Sequence, residues 1–68
     1  MSTFKIKDEI ILLNQLLKVT GWCESGAQAN EAIERGMVKV NGKKELRKRN
    51  KLVRGNIVEF NGNKVELI

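Results

Sequence analysis

At Gly36 the spacing of apolar residues changes, and that change constrains the fold more than any single residue does. Before it, apolar residues recur at helical intervals; after it they alternate, and two Asn-Gly pairs, Asn41-Gly42 and Asn61-Gly62, divide the alternating part into short runs. An Asn-Gly pair supplies the two positive φ angles of a tight hairpin turn. Helical spacing followed by short alternating runs is an α+β pattern. The expected architecture is a two-helix corner packed on a small, mostly antiparallel sheet.

The helical part reads in two pieces. From Ile10 to Lys18, the residues Ile10, Leu12, Leu13, Leu16 and Leu17 share one arc of a helix, opposite Asn14, Gln15 and Lys18, with Ile11 alone on the polar side. Asp8 is positioned to cap this first helix and Gly21 to stop it. Ser25 and Gln28 then form a capping box for a second helix, which turns Ala29, Ala32 and Ile33 inward and Asn30, Glu31, Glu34 and Arg35 to water before Gly36 ends it. Strands are expected at Met37–Val40, Ile57–Phe60 and Lys64–Ile68, the last two as a hairpin entered through a Gly55-Asn56 turn. The alternation from Thr3 to Lys7 reads as a short edge strand, placed to cover Ile11. With 68 residues, one domain spanning residues 1–68 is expected, and such a chain buries only about 60% of its unfolded surface. A binding surface is easier to build on so small a core than a deep active site.

Charge is divided as sharply as periodicity. Between Met37 and Arg54 stand eight basic residues and one acid, Glu45, a net of +7, whereas the rest of the chain carries five basic and seven acidic residues, a net of −2. The densest part is KKELRKRNK, Lys43 to Lys51. A local excess of this kind is the footprint of a surface for a polyanion. Lysines and arginines that neutralise phosphates release counterions, and Arg47 and Arg49 can fork onto a phosphate where a lysine acts as a point charge.

Several function classes lack the residues they need. The chain has no histidine and a single cysteine, Cys23, so neither a Cys/His zinc site nor an intramolecular disulfide is expected. Cys23 has no base to activate it and reads as a structural thiol; Trp22, between the helices, is assigned to the core. Without a glycine-rich phosphate loop or a metal cluster, the expectation is no enzyme, no cofactor and no small-molecule substrate. No apolar run reaches the length of a membrane span, and the residues from Met1 to Ile11 lack the order of a secretory signal. A cytoplasmic protein without a membrane partner is expected.

The stretch SGAQANEAIERGMVKVNG, Ser25 to Gly42, joins a capped small-residue helix, a glycine stop and a V-x-V-N-G strand and turn. With the basic run and VRGNIVEF after it, the chain from about Leu12 to Phe60 resembles the RNA-binding domain named after ribosomal protein S-four. GWCESGAQA and RKRNKLVRG make it similar to that group's small stand-alone members, the YbcJ-like proteins. The resemblance implies an alpha-L-type motif, in which two helices and the following loop hold structured ribosomal or transfer RNA by its backbone and shape, in association with the ribosome. Gly26 and Leu12 stand where many members of the larger family have arginine, and Asn14 stands at an acidic position, so the weight falls on the basic run.

The expected RNA-binding residues are therefore Lys43, Lys44, Arg47, Lys48, Arg49, Lys51 and Arg54, joined by Lys39 and Asn41 on the strand and turn that lead into them. Gln28 is added at the N-terminus of the second helix, whose free amides favour an anion. The expected function is a monomeric, non-catalytic RNA-binding protein. One rival is a DNA-binding helix-turn-helix protein, opposed by Glu31 and Glu34 on the outer face of the second helix. The other is a protein interaction module that uses the basic surface.

Overall fold

In the computed structural model, which describes residues 2–68, the elements run in the order β1 (Ser2–Phe4), β2 (Ile11–Leu12), α1 (Leu13–Val19), α2 (Gly26–Glu34), β3 (Val38–Val40), β4 (Lys43–Lys44), β5 (Lys51–Leu52), β6 (Ile57–Phe60) and β7 (Asn63–Leu67). Five strands form one sheet in the order β1-β7-β6-β3-β4, and β2 pairs with β5 in a second, two-stranded ribbon. Only β1 and β7 run parallel; the other pairs are antiparallel, as the α+β reading requires. Both Asn-Gly pairs sit at two-residue hairpin turns with positive φ throughout: 53° and 85° at Asn41-Gly42, 51° and 84° at Asn61-Gly62.

The two helices cover one face of the large sheet. Val38, Val58, Val65 and Leu67 from the strands meet Leu13, Leu16, Leu17, Ala29, Ala32 and Ile33 from the helices, and all are buried. Ile6, Ile11 and Leu52 close one end of this core, while Trp22 and Phe60 pack against it and stack on each other with ring centroids 6.3 Å apart. Each fully buried Val, Leu or Ile contributes about 1.5–3 kcal/mol relative to exposure. The pairing of β3 with β6 and β6 with β7 thus fixes which sheet face is apolar, because the side-chain period of a strand is two.

The second helix begins as the sequence indicates. The Gln28 amide donates to Ser25 Oγ at 3.2 Å, and the Gln28 side chain reaches back to accept from the Glu24 amide at 2.6 Å. The first helix does not. It starts at Leu13 rather than near Ile10, Asp8 caps nothing, and Leu12 occupies the N-cap position with no side-chain hydrogen bond. Its leading amides are met from elsewhere in the chain: Leu13 N donates to Asn50 O at 2.9 Å and Asn14 N to Lys48 O at 3.0 Å. Since Ile11-Leu12 is extended and paired with β5, facing alternates there. Ile11 is buried and Ile10 is 41% exposed, the reverse of the helical expectation.

At the other end of the chain's path, β1 is an edge strand as expected, running Ser2–Phe4 instead of Thr3–Lys7. The Ile68 amide donates to Phe4 O and the Ile6 amide to Ile68 O, which carries the parallel pairing one step beyond β1 and buries Ile6.

Candidate nucleic-acid interface

The basic run is less of a loop than its composition suggests. Lys43 and Lys44 pair with β3 (Val40↔Lys43, Lys39↔Lys44), and Lys51 and Leu52 pair with β2, so only residues 45–50 are irregular. Leu52 is fully buried and anchors one end. At the other end the Glu45 amide donates to Val38 O, extending the hairpin by a further rung. Between these anchors the carbonyls of Lys48 and Asn50 cap α1. The loop and the helix corner are one assembly.

The cations of the run differ in what holds them. Arg47 is engaged by Glu45 through two ionic hydrogen bonds, Nε to Oε1 at 3.0 Å and Nη2 to Oε2 at 3.3 Å. Lys48 Nζ lies 3.7 Å from Glu34 on α2, with both side chains about half exposed, an arrangement worth well under about 1 kcal/mol. Arg54 donates from Nη2 to Ile6 O at 3.0 Å and so ties the N-terminal segment to the turn before β6. Among the described residues, Lys39, Lys43, Lys44, Arg49 and Lys51 have no carboxylate within ion-pairing distance.

Glu45 and Arg47 displace each other's titration: the hydrogen bonds to Glu45 raise the Arg47 guanidinium above its ordinary value, and the Glu45 carboxyl moves the other way. The hydrogen bonds from the Arg47 side chain come first and that from the Arg47 amide next, and together they hold the carboxyl below its usual range. Its side chain is 16% exposed, against 78% for Arg47.

Lys39 and Lys44 face each other across β3 and β4 on the sheet face away from the helices, with Glu59 opposite Lys39 on β6. The Lys44 stem runs over Gly36, where an added Cβ would sit 3.5 Å from Lys44 Cδ. That path brings a cation to the C-terminal end of α2, the favourable end for positive charge. Asn41 spends its backbone and side chain on the sheet: its amide donates to Ile57 O at 2.7 Å, and its Oδ1 accepts from the Ile57 amide at 2.9 Å.

Gln28 is placed apart from the rest. On α2, Asn30 and Glu34 lie on the flank that meets α1 and the basic loop, shown by the Asn14 Nδ2 to Asn30 Oδ1 bond of 3.0 Å and by the Lys48 to Glu34 pair. Gln28, Glu31 and Arg35, spaced three and seven residues apart, occupy the opposite flank. There they line a shallow groove with Trp22, Met37 and Phe60. Arg47, Arg49 and Lys51 line one open groove with Asn50, Lys48 reaches α2 and Lys44 lies over Gly36, while Gln28 lines a different groove.

Two contributors were not legible as such. Asn50 donates from Nδ2 to Glu45 Oε2 at 3.2 Å and offers its carbonyl to α1, and Asn14 and Asn30, read as water-facing, bond to each other across the helices. The only sequence signal for the first is that Glu45 is a lone acid inside a basic run. The second joins two helices and has no local signature.

Comparison with known proteins agrees with this architecture. The family model described as the S4 domain matches residues 4–68. "Putative RNA-binding protein YbcJ" of Escherichia coli (strain K12) is 49% identical over 69 residues, covering 100% of this chain and 99% of the relative, and "Uncharacterized protein YbcJ" of Shigella flexneri matches to the same extent. The solution structure of YbcJ from E. coli, described as revealing an alfaL motif involved in RNA-binding, superposes with a TM-score of 0.75 at 49% identity, covering 100% of this chain and 87% of that one.

Proposed function

Because this chain belongs to the S4 domain family, we propose that it is a non-catalytic RNA-binding protein, one domain that docks its helix corner and basic loop onto structured RNA. The observation that carries this reading is the set of cations without carboxylate partners among the described residues, Lys43, Lys44, Arg49 and Lys51, held on a segment tied to α1 and both sheets. Lys48, only loosely paired, and Lys39 extend the set, while Arg54 and Asn41 border it. The RNA binding named for YbcJ supports the same function, given 49% identity across the whole chain.

A rigid basic segment beside two helices recognises backbone and shape, which suits structured RNA, whose deep major groove hides its base edges. Ribosomal or transfer RNA is the proposed target, met in the cytoplasm by a monomer that works in association with the ribosome. DNA reading by α2 is disfavoured, since Glu31 and Glu34 occupy its exposed face and would be brought against phosphates in a major groove. Burial pushes the Cys23 thiol above its ordinary value, which disfavours the thiolate a nucleophile needs.

The test is a titration against an RNA hairpin and a duplex DNA of matched sequence at several salt concentrations. Preference for the hairpin is expected, with a log–log salt slope equal to several phosphates at roughly −0.9 each on a duplex scale. Replacing Lys43, Arg49 and Lys51 together by Ala is expected to weaken hairpin binding about 100-fold at moderate salt and to shorten the slope by two to three such units, roughly. Equal weak binding to both nucleic acids would refute RNA recognition; nuclease-resistant capture of a protein would favour an interaction module.

A further inference from the structure

Within the basic run the one acid makes more hydrogen bonds than any of the cations. Glu45 Oε1 accepts from the Arg47 amide at 3.0 Å and from Arg47 Nε at 3.0 Å, while Oε2 accepts from Arg47 Nη2 at 3.3 Å and from Asn50 Nδ2 at 3.2 Å. These bonds span the irregular segment from its first residue to its last. Asn50 N also donates to Arg47 O at 3.1 Å, so the segment closes as a turn around the carboxylate. Charge-assisted bonds of this kind are roughly twice as strong as neutral ones. The backbone of Glu45 is meanwhile fixed to β3, and the carbonyls of Lys48 and Asn50 are fixed to α1.

The consequence concerns Arg47. The edge formed by Nε and Nη2 is one of the two with which an arginine forks onto a phosphate, and here it is already occupied by a carboxylate. Arg49, two residues on, is exposed and has no such partner among the described residues. The two arginines of this run therefore have different work: one braces the loop and the other is left to meet an anion.

We propose that Glu45 is a positioning residue for the RNA surface, withdrawing Arg47 from phosphate contact and fixing the loop in the shape that presents Arg49 and the flanking lysines to RNA. This rests on the RNA-binding reading above. Its distinguishing feature is the sign of the effect. A stray acid in a cationic patch lowers affinity for a polyanion, so its removal, which raises the net charge by one and frees Arg47, strengthens binding. An acid that shapes the patch gives the opposite result on removal, because the remaining cations no longer reach their phosphates together.

The experiment compares wild type, Glu45→Ala and Glu45→Gln against the same dye-labelled RNA hairpin across salt concentrations, with amide hydrogen exchange of the free proteins read at Leu13, Asn14 and Arg47. Glu45→Ala is expected to bind roughly tenfold more weakly than wild type with a smaller salt slope, by about one phosphate contact or more, and to exchange faster at all three amides. Glu45→Gln has the same added charge but keeps an acceptor for the Arg47 amide, and it should fall between the two. Tighter binding by both variants to an equal degree would overturn the proposal, as would unchanged protection of Leu13, Asn14 and Arg47 in Glu45→Ala. The exchange readout needs no RNA, so a failure of wild type to bind the hairpin strikes at the RNA-binding reading, while unchanged exchange strikes at the role of Glu45.

Discussion

The two helices of the corner begin in different ways. The N-terminus of α2 is satisfied by its own neighbours, Ser25 and Gln28. The N-terminus of α1 has no side-chain cap at all, and its amides are satisfied by carbonyls of Lys48 and Asn50, more than thirty residues further along the chain. Both solutions meet the same requirement, that free helix amides find acceptors. They differ in what they couple. A local cap stabilises one helix, whereas the remote one makes the start of α1 and the shape of the basic segment depend on each other.

The strongest way to break that dependence is to remove the anchor that holds the segment down. Leu52 is fully buried and lies opposite Ile11 in the β2–β5 ribbon. Leu52→Ala is expected to cost about 2–5 kcal/mol in unfolding free energy, a large share of the roughly 5–15 kcal/mol available to a native protein. Denaturant unfolding measures this, and a loss below about 1 kcal/mol would mean that the ribbon does not hold the loop. In a folded fraction at low temperature, exchange at Leu13 and Asn14 should rise out of proportion to the rest of the core.

Ser25→Ala provides the contrast. Loss of the local cap is expected to cost about 1 kcal/mol, or a fall in Tm of roughly 4–8 °C for a chain of this size. Hairpin affinity at a temperature where the variant is folded should not change, nor should protection at Leu13 and Asn14. A loss of binding without loss of stability would assign Ser25 to the interface and remove the distinction between the two helix ends.

The same contrast explains what could be read from the chain without its structure. The α2 cap, the Gly36 stop and both Asn-Gly turns depend on residues within four positions of each other, and each is where the pattern places it. The start of α1 lies further along the chain than the apolar spacing indicates because Ile10, Leu12 and Leu13 fit a helical arc with only Ile11 outside it, while the same four apolar residues also fit an extended run. What decides between them is pairing with Lys51 and Leu52, which is a tertiary fact. The candidate interface divides likewise. Its charge is plain in composition, but the diversion of Arg54 to Ile6 and the separation of Gln28 from the basic run follow from how distant segments meet, and the engagement of Arg47 by Glu45, though only two residues apart, has no spacing signature of its own.

The smallest expected effect tests whether the remote coupling is electrostatic in origin. Hydrogen bonds from the Arg47 side chain, then its amide, favour ionised Glu45, so its carboxyl titrates lower in the folded chain than in the unfolded one. A depressed carboxyl pKa contributes stability that is complete above the unfolded value and is lost as pH falls through the folded one. Wild type should therefore exceed Glu45→Gln in stability at neutral pH, and the gap should close on acidification below the ordinary carboxylate range, because both side chains are then uncharged. Unfolding free energies of the pair measured across that range check this, since every other titrating group is common to both proteins. A gap that stays constant with pH would mean that the carboxylate shapes the loop by packing alone, and that its charge contributes nothing to holding Arg47.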